Sequence, residues 1–472
     1  MKRKAKIVAT IGPASCSREK LEILLRAGMD VARLNFSHGE HSDHRRTIEL
    51  LRELSAHVGR AVAIIADLPG PKIRTGRLRA GQPVQLKSGQ RLTLTGKKLL
   101  GTAERISINY PRLIQDFHPG DRVLLADGLI ELRVERKRGK ELLCRVVNGG
   151  ELGERKGVNL PGVKLSIASL TTRDKKHLKF ALAHGVDYVA QSFVRSAADV
   201  RGLKRLIARL GYDTPVLAKI EKPEALEHLE EILAVADGVM VARGDLGVEM
   251  SPEKVPVAQK RIIEMANRSR LPVITATQML ESMIRNPRPT RAEASDVANA
   301  VFDGTDALML SAETATGRYP RETVAMMGRI IQEAEAAVTR REEHRRREAK
   351  VSIAETITEA VAHAADHLQM KVIAVFTESG STARLVSKHR PAPFVIGFSP
   401  QRKTRRRMAL YWGIMPRRIG AMNDVDALTA EAERRLKEEK LVKKGDIVGI
   451  VAGTPLRIPG TTNLLKLHTI GN

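Results

Sequence analysis

The chain has 472 residues, 42% of them hydrophobic, with two cysteines and a formal net charge of +26. That length suggests about three domains, and two cysteines supply neither a disulfide framework nor a zinc spacing, which fits a reducing cytoplasm. The charge raises nucleic acid as a partner, but aromatics are only 3%, too few for base stacking, and the basic residues are spread along the chain, densest at residues 345–347 and 402–407, so no nucleic acid partner is expected.

The opening MKRKAKIVATIG has a basic head, but its apolar run is too short for a signal peptide and reads as a first strand. No stretch is long enough to span a membrane, and none is expected as a partner. Seven further β-rich runs follow: DVARLNFS, AVAIIADLPG, DYVAQSF, PVLAKIEK, GVMVARGD, PVITATQ and ALMLSAE. Segments of helical period lie between most of them, such as residues 19–26 and 255–268. Thr290 and Glu293 form a capping box, and Gly304 stops the helix they start. Eight such units predict a (β/α)8 TIM barrel, assigned to residues 1–69 and 166–340.

Six of the eight runs end in charged or hydroxyl groups. Arg33, Asn35 and Ser37 share one face of the second, since side chains alternate on a strand. Asp67 ends the third, Lys219 and Glu221 the fifth, Arg243 and Asp245 the sixth, Thr277 the seventh, and Ser311 and Glu313 the eighth. Barrel enzymes place their chemistry at this rim. A lysine and a glutamate ending an apolar strand are costly to bury unless something uses them. A carboxylate can hold a divalent metal, and an ammonium beside it can stabilise charge developing on a phosphoryl or enolate oxygen.

Between the third and fourth strands, residues 70–165 alternate strand and turn signals, with Gly139 at the tip of a basic hairpin. This insert reads as a small β-barrel domain over the rim, a natural lid. A charged helical stretch at residues 333–350 leads to a third region, 341–472. There, helix 352–370, strand VIAVFTESG, helix STARLVSKHR, strand PFVIGFSP, a basic helix, VGIVAG and a closing strand predict an open α/β domain. Thr377, Ser379, Gly380, Ser381 and Thr382 stand at its first strand-to-helix junction, where small hydroxyl residues can cradle a phosphate.

In order along the chain stand TIGPAS (10–15), ARLNFSHG (32–39), GPKIRTG (70–76), KGVNLPG (156–162), KIE (219–221), MVARGDLG (240–247), TATQMLESM (275–283), PRPTRAE (287–293) and MLSAET (309–314). With these motifs the chain resembles the pyruvate kinase family over essentially its whole length. The resemblance implies that phosphoenolpyruvate, ADP and a proton give pyruvate and ATP. It implies that Glu221 and Asp245 hold Mg2+, with Mn2+ able to substitute, and that Lys219 and Arg33 act on the moving phosphoryl group. Gly244 and Asp245 would meet the substrate carboxylate, and Thr277 the substrate and a proton path continued by Ser311 and Glu313. Asn35 and His38 would approach the nucleotide, with Arg74 and Lys156 on its phosphates. The third region would be regulatory, with the 377–382 loop taking the phosphate of an activator, and the family is usually a homotetramer.

The chain departs from the family's common D-T-K-G-P-E-I-R by reading DLPGPKIR, with Leu68, Pro69 and Lys72 at the changed places. Asn35, Ser37 and Asp67 match the potassium ligands, and Leu68 stands in the same pocket. The Lys72 ammonium is expected to replace the ion, so K+ is expected not to be required. Thr316 and Ala312 are minor departures. Glu378 inside the effector loop would repel a second phosphate, favouring a sugar monophosphate or AMP, with cations from residues 402–407 or Arg457. Of the competing readings, a lyase- or dikinase-like barrel leaves the GVNLPG lid and the third region unexplained, and a nucleic-acid binder would show salt-sensitive retention on DNA without kinase activity.

Overall fold

The computed structural model describes residues 3–110, 112–163, 167–338, 351–420, 422, 424–456, 458 and 460–471. Eight strands, β1 (Lys6–Ile11), β2 (Val31–Asn35), β3 (Ala63–Leu68), β12 (Tyr188–Gln191), β13 (Val216–Ile220), β14 (Gly238–Ala242), β15 (Val273–Ala276) and β16 (Ala307–Leu310), close into one parallel barrel. The strands between β3 and β12, within residues 84–159, belong to the insert. Nearly every barrel-strand residue is buried, as expected when helices cover the outside and side chains fill the inside. β1 pairs with both β16 and β2, which closes the ring. The Thr290–Glu293 capping box forms at the head of helix Arg291–Phe302, and Gly304 follows with φ 90°.

The insert holds β4 (Val84–Leu86), β5 (Arg91–Thr95), β6 (Arg105–Ser107), β7 (Arg122–Leu125), β8 (Ile130–Arg138), β9 (Glu141–Asn148), β10 (Gly150–Leu152) and β11 (Val158–Asn159). Six of them form a sheet in the order β11-β7-β8-β9-β5-β6, and β4 pairs with β10. Both sheet edges are bridged by one short segment: Arg74 pairs with Gly157 beside β11, and Thr75 with Ile108 beside β6. That segment curls the sheet around its own core, which includes Leu92, Ile106, Leu132 and Cys144. The β8–β9 hairpin turns at Gly139, whose φ of 59° suits a residue without a Cβ.

The third region is a five-stranded sheet, β17 (Val372–Phe376), β18 (Phe394–Ser399), β19 (Ile414–Arg418), β20 (Ile447–Gly453) and β21 (Thr462–Thr469), ordered β19-β18-β17-β20-β21. The sequence reading omits β19 and the helix Val425–Glu438. β19 reads IMPRR, too polar to signal a strand, and it is tolerated because it lies at the sheet edge. Helix Pro320–Ala337 covers the start of the charged stretch at 333–350, and residues 339–350, with the basic run 345–347, lie outside the described residues.

This region plugs the base of the barrel. Ala409 and Leu410 pack among the inward-facing residues Val8, Val31, Tyr188 and Leu217. Tyr188 donates its hydroxyl hydrogen to the Arg407 carbonyl at 2.8 Å, and Lys6 Nζ donates to the Ile414 carbonyl at 2.7 Å. Nearby, Asp306 at the start of β16 pairs with Lys388 and lies 2.9 Å from Arg390. Burial pushes the Lys388 ammonium down to about 8, against the attraction of Asp306. Removing one partner of a buried pair leaves an uncompensated charge. Asp306→Ala is therefore expected to lose about 3–5 kcal/mol of stability in urea denaturation, and a loss below the error of the measurement would show that this contact does not hold the two domains.

Candidate active site

At the C-terminal ends of the barrel strands, one carboxylate organises two cations. Asn35 and Asp67 are register partners on β2 and β3, so Arg33, two residues back and on the same face as Asn35, reaches across to Asp67. Arg33 Nε donates to Asp67 Oδ2 at 2.7 Å and its NH1 to Thr10 Oγ1 at 3.0 Å. Lys219 Nζ lies 3.3 Å from the other Asp67 oxygen, 2.7 Å from Glu221 Oε1, and donates to Ser192 Oγ at 2.8 Å. Burial opposes ionisation of Asp67, but Lys219 and Arg33 outweigh it and hold its carboxyl below the usual range. Burial likewise opposes the charge on Lys219, yet Asp67, Glu221 and Asp245 keep the ammonium above its ordinary value. Both cations are thus fixed and charged before any substrate arrives.

Glu221 is buried, and Oε2 accepts the Phe193 N–H at 2.9 Å. Burial raises its pKa; Lys219 opposes the rise, and the like charge of Asp245 adds to it. The Asp245 carboxylate has no hydrogen bond or ion pair among the described residues. Two carboxylates that repel each other, one of them unpartnered, suit a divalent cation. No group of three or more His, Cys, Asp or Glu able to hold a metal occurs among the described residues. Mg2+ needs only one or two carboxylates, because it keeps waters and takes substrate oxygens.

Thr277 and Gln278 have φ of 70° and 53°, a left-handed backbone that is costly for a β-branched threonine. Arg243 holds the strained turn: its NH2 donates to the Thr277 carbonyl at 2.6 Å, and its NH1 pairs with Asp296 at 2.7 Å. The turn in turn positions helix Arg243–Glu249, because Thr277 Oγ1 accepts the Gly244 N–H at 2.8 Å while donating to the Ala276 carbonyl. Arg243 is thus a brace. Glu313 is buried, and burial raises its pKa against backbone N–H groups that include Ser311 at 2.6 Å and Leu280 at 3.2 Å. Ser311 Oγ is buried with no hydrogen-bond partner among the described residues.

The nucleotide candidates are split between barrel and lid. Arg74 and Lys156 are neighbours in the lid, where Thr75 and Lys156 exchange hydrogen bonds at 2.9 Å. Ser37, Lys72, Arg74, Thr171 and Arg173 line a cavity of about 600 Å3 between them and the rim. His38 is exposed; partial burial first, then Lys72, Arg74 and Arg33, lower its pKa. Asn35 Oδ1 accepts the Ser37 N–H at 3.1 Å. Leu68 is buried on β3, and Lys72 is exposed but close enough for its charge to help lower the pKa of Asp67.

In the third region, Gly380 has φ 91° and donates its N–H to Thr377 Oγ1 at 2.9 Å; Ser379 and Ser381 hydroxyls lie 3.0 Å apart, and Thr382 pairs with Thr462 at 2.6 Å. Thr377, Glu378, Ser379, Ser381 and Thr382 line one cavity. The basic run 402–407 does not: Arg405 donates to the Ser399 and Pro400 carbonyls, and Arg407 reaches Asp213 of the barrel. Arg457 lies outside the described residues.

The family model described as pyruvate kinase, barrel domain, matches residues 2–324, and that for the pyruvate kinase alpha/beta domain matches 355–468. The chain belongs to the pyruvate kinase family. It is 47% identical to pyruvate kinases of Staphylococcus saprophyticus and Geobacillus stearothermophilus, over 100% of this chain and 81% of each relative. A crystal structure of a pyruvate kinase from Cryptosporidium parvum superposes with a TM-score of 0.94 at 37% identity, covering 99% of this chain and 96% of that one. The protein is therefore a phosphotransferase of the pyruvate kinase type, a family that works on phosphoenolpyruvate and ADP with a divalent metal.

Three contacts escape the sequence reading: Thr10, Ser192 and the Phe193 N–H. The first two end β1 and follow β12, the two strands that reading passed over, and the strand-end rule applied to all eight would have found them. The Phe193 N–H leaves no trace in sequence, because it depends on a φ of 57°. That conformation needs Gly70: a Cβ there, at φ 65°, would lie 2.7 Å from Phe193 Cδ2. Gly70→Ala is expected to displace Phe193 and with it the N–H that orients Glu221, raising the half-saturating Mg2+ several-fold in a steady-state assay; an unchanged Mg2+ dependence would break this link.

Proposed function

We propose that phosphoryl transfer from phosphoenolpyruvate to ADP is carried out by Arg33, Lys219, Glu221, Asp245 and Thr277 at the barrel rim. The observation that carries this reading is the charge arrangement: two cations fixed on Asp67 beside a repelling pair of carboxylates. The transferred group needs positioning and charge neutralisation more than covalent chemistry. Arg33 and Lys219 supply fixed positive charge to its oxygens. Bound at Glu221 and Asp245, Mg2+, or Mn2+ in its place, would supply Lewis-acid charge to the phosphoryl and enolate oxygens. Gly244 and Asp245 orient the substrate carboxylate. The phosphoryl group leaves the enol oxygen for the terminal phosphate of ADP, and a proton reaches the enolate carbon along Thr277, Ser311 and Glu313. Asn35 and His38 of the barrel and Arg74 and Lys156 of the lid bind ADP, and closure of the lid excludes water that would compete for the phosphoryl group.

Potassium is not required in this reading. The resemblance places Asn35, Ser37, Asp67 and Leu68 at a monovalent-cation pocket, but here Asp67 already carries two cations and lies in the field of Lys72. In an assay coupling pyruvate formation to its reduction, wild type is expected to be fully active without potassium, and Lys219→Met to lose at least about a hundredfold in kcat. Strong activation by added potassium would overturn the first statement, and equal rates for the two proteins the second.

The 377–382 loop is proposed to bind the phosphate of an activator, with Glu378 excluding a second phosphate, in a cytoplasmic homotetramer that carries the cooperativity. Titrating ribose 5-phosphate, glucose 6-phosphate, AMP and fructose 1,6-bisphosphate at subsaturating phosphoenolpyruvate is expected to show activation by a monophosphate; activation by the bisphosphate alone would refute this.

A further inference from the structure

One residue of the KGVNLPG motif has no part in the chemistry above, yet it makes a contact between lid and barrel. Asn159, on β11, donates from Nδ2 to Glu249 Oε1 at 3.0 Å. The same oxygen is 2.6 Å from Lys222 Nζ, and both side chains of that pair are buried, 7% and 2% exposed. Lys222 directly follows Glu221. Its ammonium lies 5.9 Å from the centre of the Phe193 ring, whose own N–H holds Glu221. Glu249 is the last residue of the helix Arg243–Glu249, whose first turn carries Gly244 and Asp245. The next residue inward, Val248, faces the lid turn at Gly128, where an added Cβ would be 3.7 Å away. One carboxylate oxygen therefore joins three pieces: the end of the strand that bears Glu221, the helix that bears Asp245, and the lid.

We propose that Asn159 and the Lys222–Glu249 pair form a latch through which docking of the lid sets the position of Asp245 relative to Glu221. The inference rests on the reading of those two residues as the metal ligands. A seven-residue helix has little stability of its own, so its placement follows the contacts at its ends. Thr277 and Arg243 hold the N-terminal end, and the latch holds the C-terminal end. Glu249 stays paired with Lys222 when the lid moves away, so the barrel keeps its fold, but the helix loses its second donor and becomes freer. Asn159 is a positioning residue in this scheme: it touches neither substrate nor metal.

The test uses the full-length protein with Asn159→Ala, Asn159→Asp, and Asn159→Asp combined with Glu249→Gln. A hydrogen bond to a charged group is worth about a tenfold factor or more. Asn159→Ala is expected to lower kcat and raise half-saturating Mn2+, read from the spectroscopic signal of free Mn2+, by about tenfold each. It should leave the thermal midpoint unchanged and speed hydrogen exchange at the backbone amides of residues 243–249 in the metal-free protein. Asn159→Asp sets two carboxylates together and should be worse. The double variant exchanges donor and acceptor while returning a carboxylate to Lys222, and should recover most of the loss. The latch is overturned if Asn159→Ala and Asn159→Asp both match wild type in amide exchange and Mn2+ binding. A Glu221→Gln control separates the two readings: if it binds Mn2+ as wild type does, the metal assignment fails and the latch falls with it, whereas normal latch variants beside a defective Glu221→Gln overturn the latch alone.

Discussion

A lysine buried at the mouth of an apolar barrel has to be neutralised, and the rest of the site follows from how Lys219 meets that demand. Asp67 and Glu221 both pair with it, and Asp67 also binds Arg33. Taking charges out of water costs several kcal/mol per ion unless partners compensate. The partners here compensate incompletely on purpose of geometry: Asp67 is shared by two cations, while Glu221 is left facing the like charge of Asp245. The excess positive charge on one side and excess negative charge on the other make a site with places for an anion and for a cation side by side.

Backbone strain gives the site its shape. Phe193 and Thr277 both hold a left-handed conformation that their side chains disfavour, each at the end of a barrel strand. Both spend it on one hydrogen bond that matters: the Phe193 N–H donates to Glu221, and the Gly244 N–H donates to the Thr277 hydroxyl oxygen. Such strain persists only where the surroundings over-determine it. Arg243 supplies that at Thr277 by gripping its carbonyl, and Gly70 supplies it at Phe193 by leaving room for the ring.

The barrel is engaged at both ends. The lid meets the rim through Asn159 and Glu249, and the third region fills the base through Ala409 and Leu410. The helix Arg402–Met408 runs directly into that plug, and Thr404 on it donates its hydroxyl hydrogen to the Glu378 carbonyl of the 377–382 loop. That loop is therefore joined by continuous packing to the residues that fill the barrel interior.

Alternation of apolar and helical runs was enough to specify the eight-stranded barrel, because a strand buried on both faces must be continuously apolar whatever its neighbours are. Polar groups at strand ends were enough to bring Arg33, Asp67, Lys219, Glu221, Asp245 and Thr277 together, because a closed parallel barrel puts every such end on one rim. The same logic failed for β19, whose polar edge needs no apolar signature, and for Arg243, which looks like a site cation but is spent on a carbonyl. What the tertiary structure alone decided is partnership: that Asp67 holds both Arg33 and Lys219, which backbone N–H orients Glu221, and that Asn159 in the lid shares a Glu249 oxygen with Lys222. Those depend on distances of about 3 Å between segments far apart in the chain, and local pattern carries no record of them.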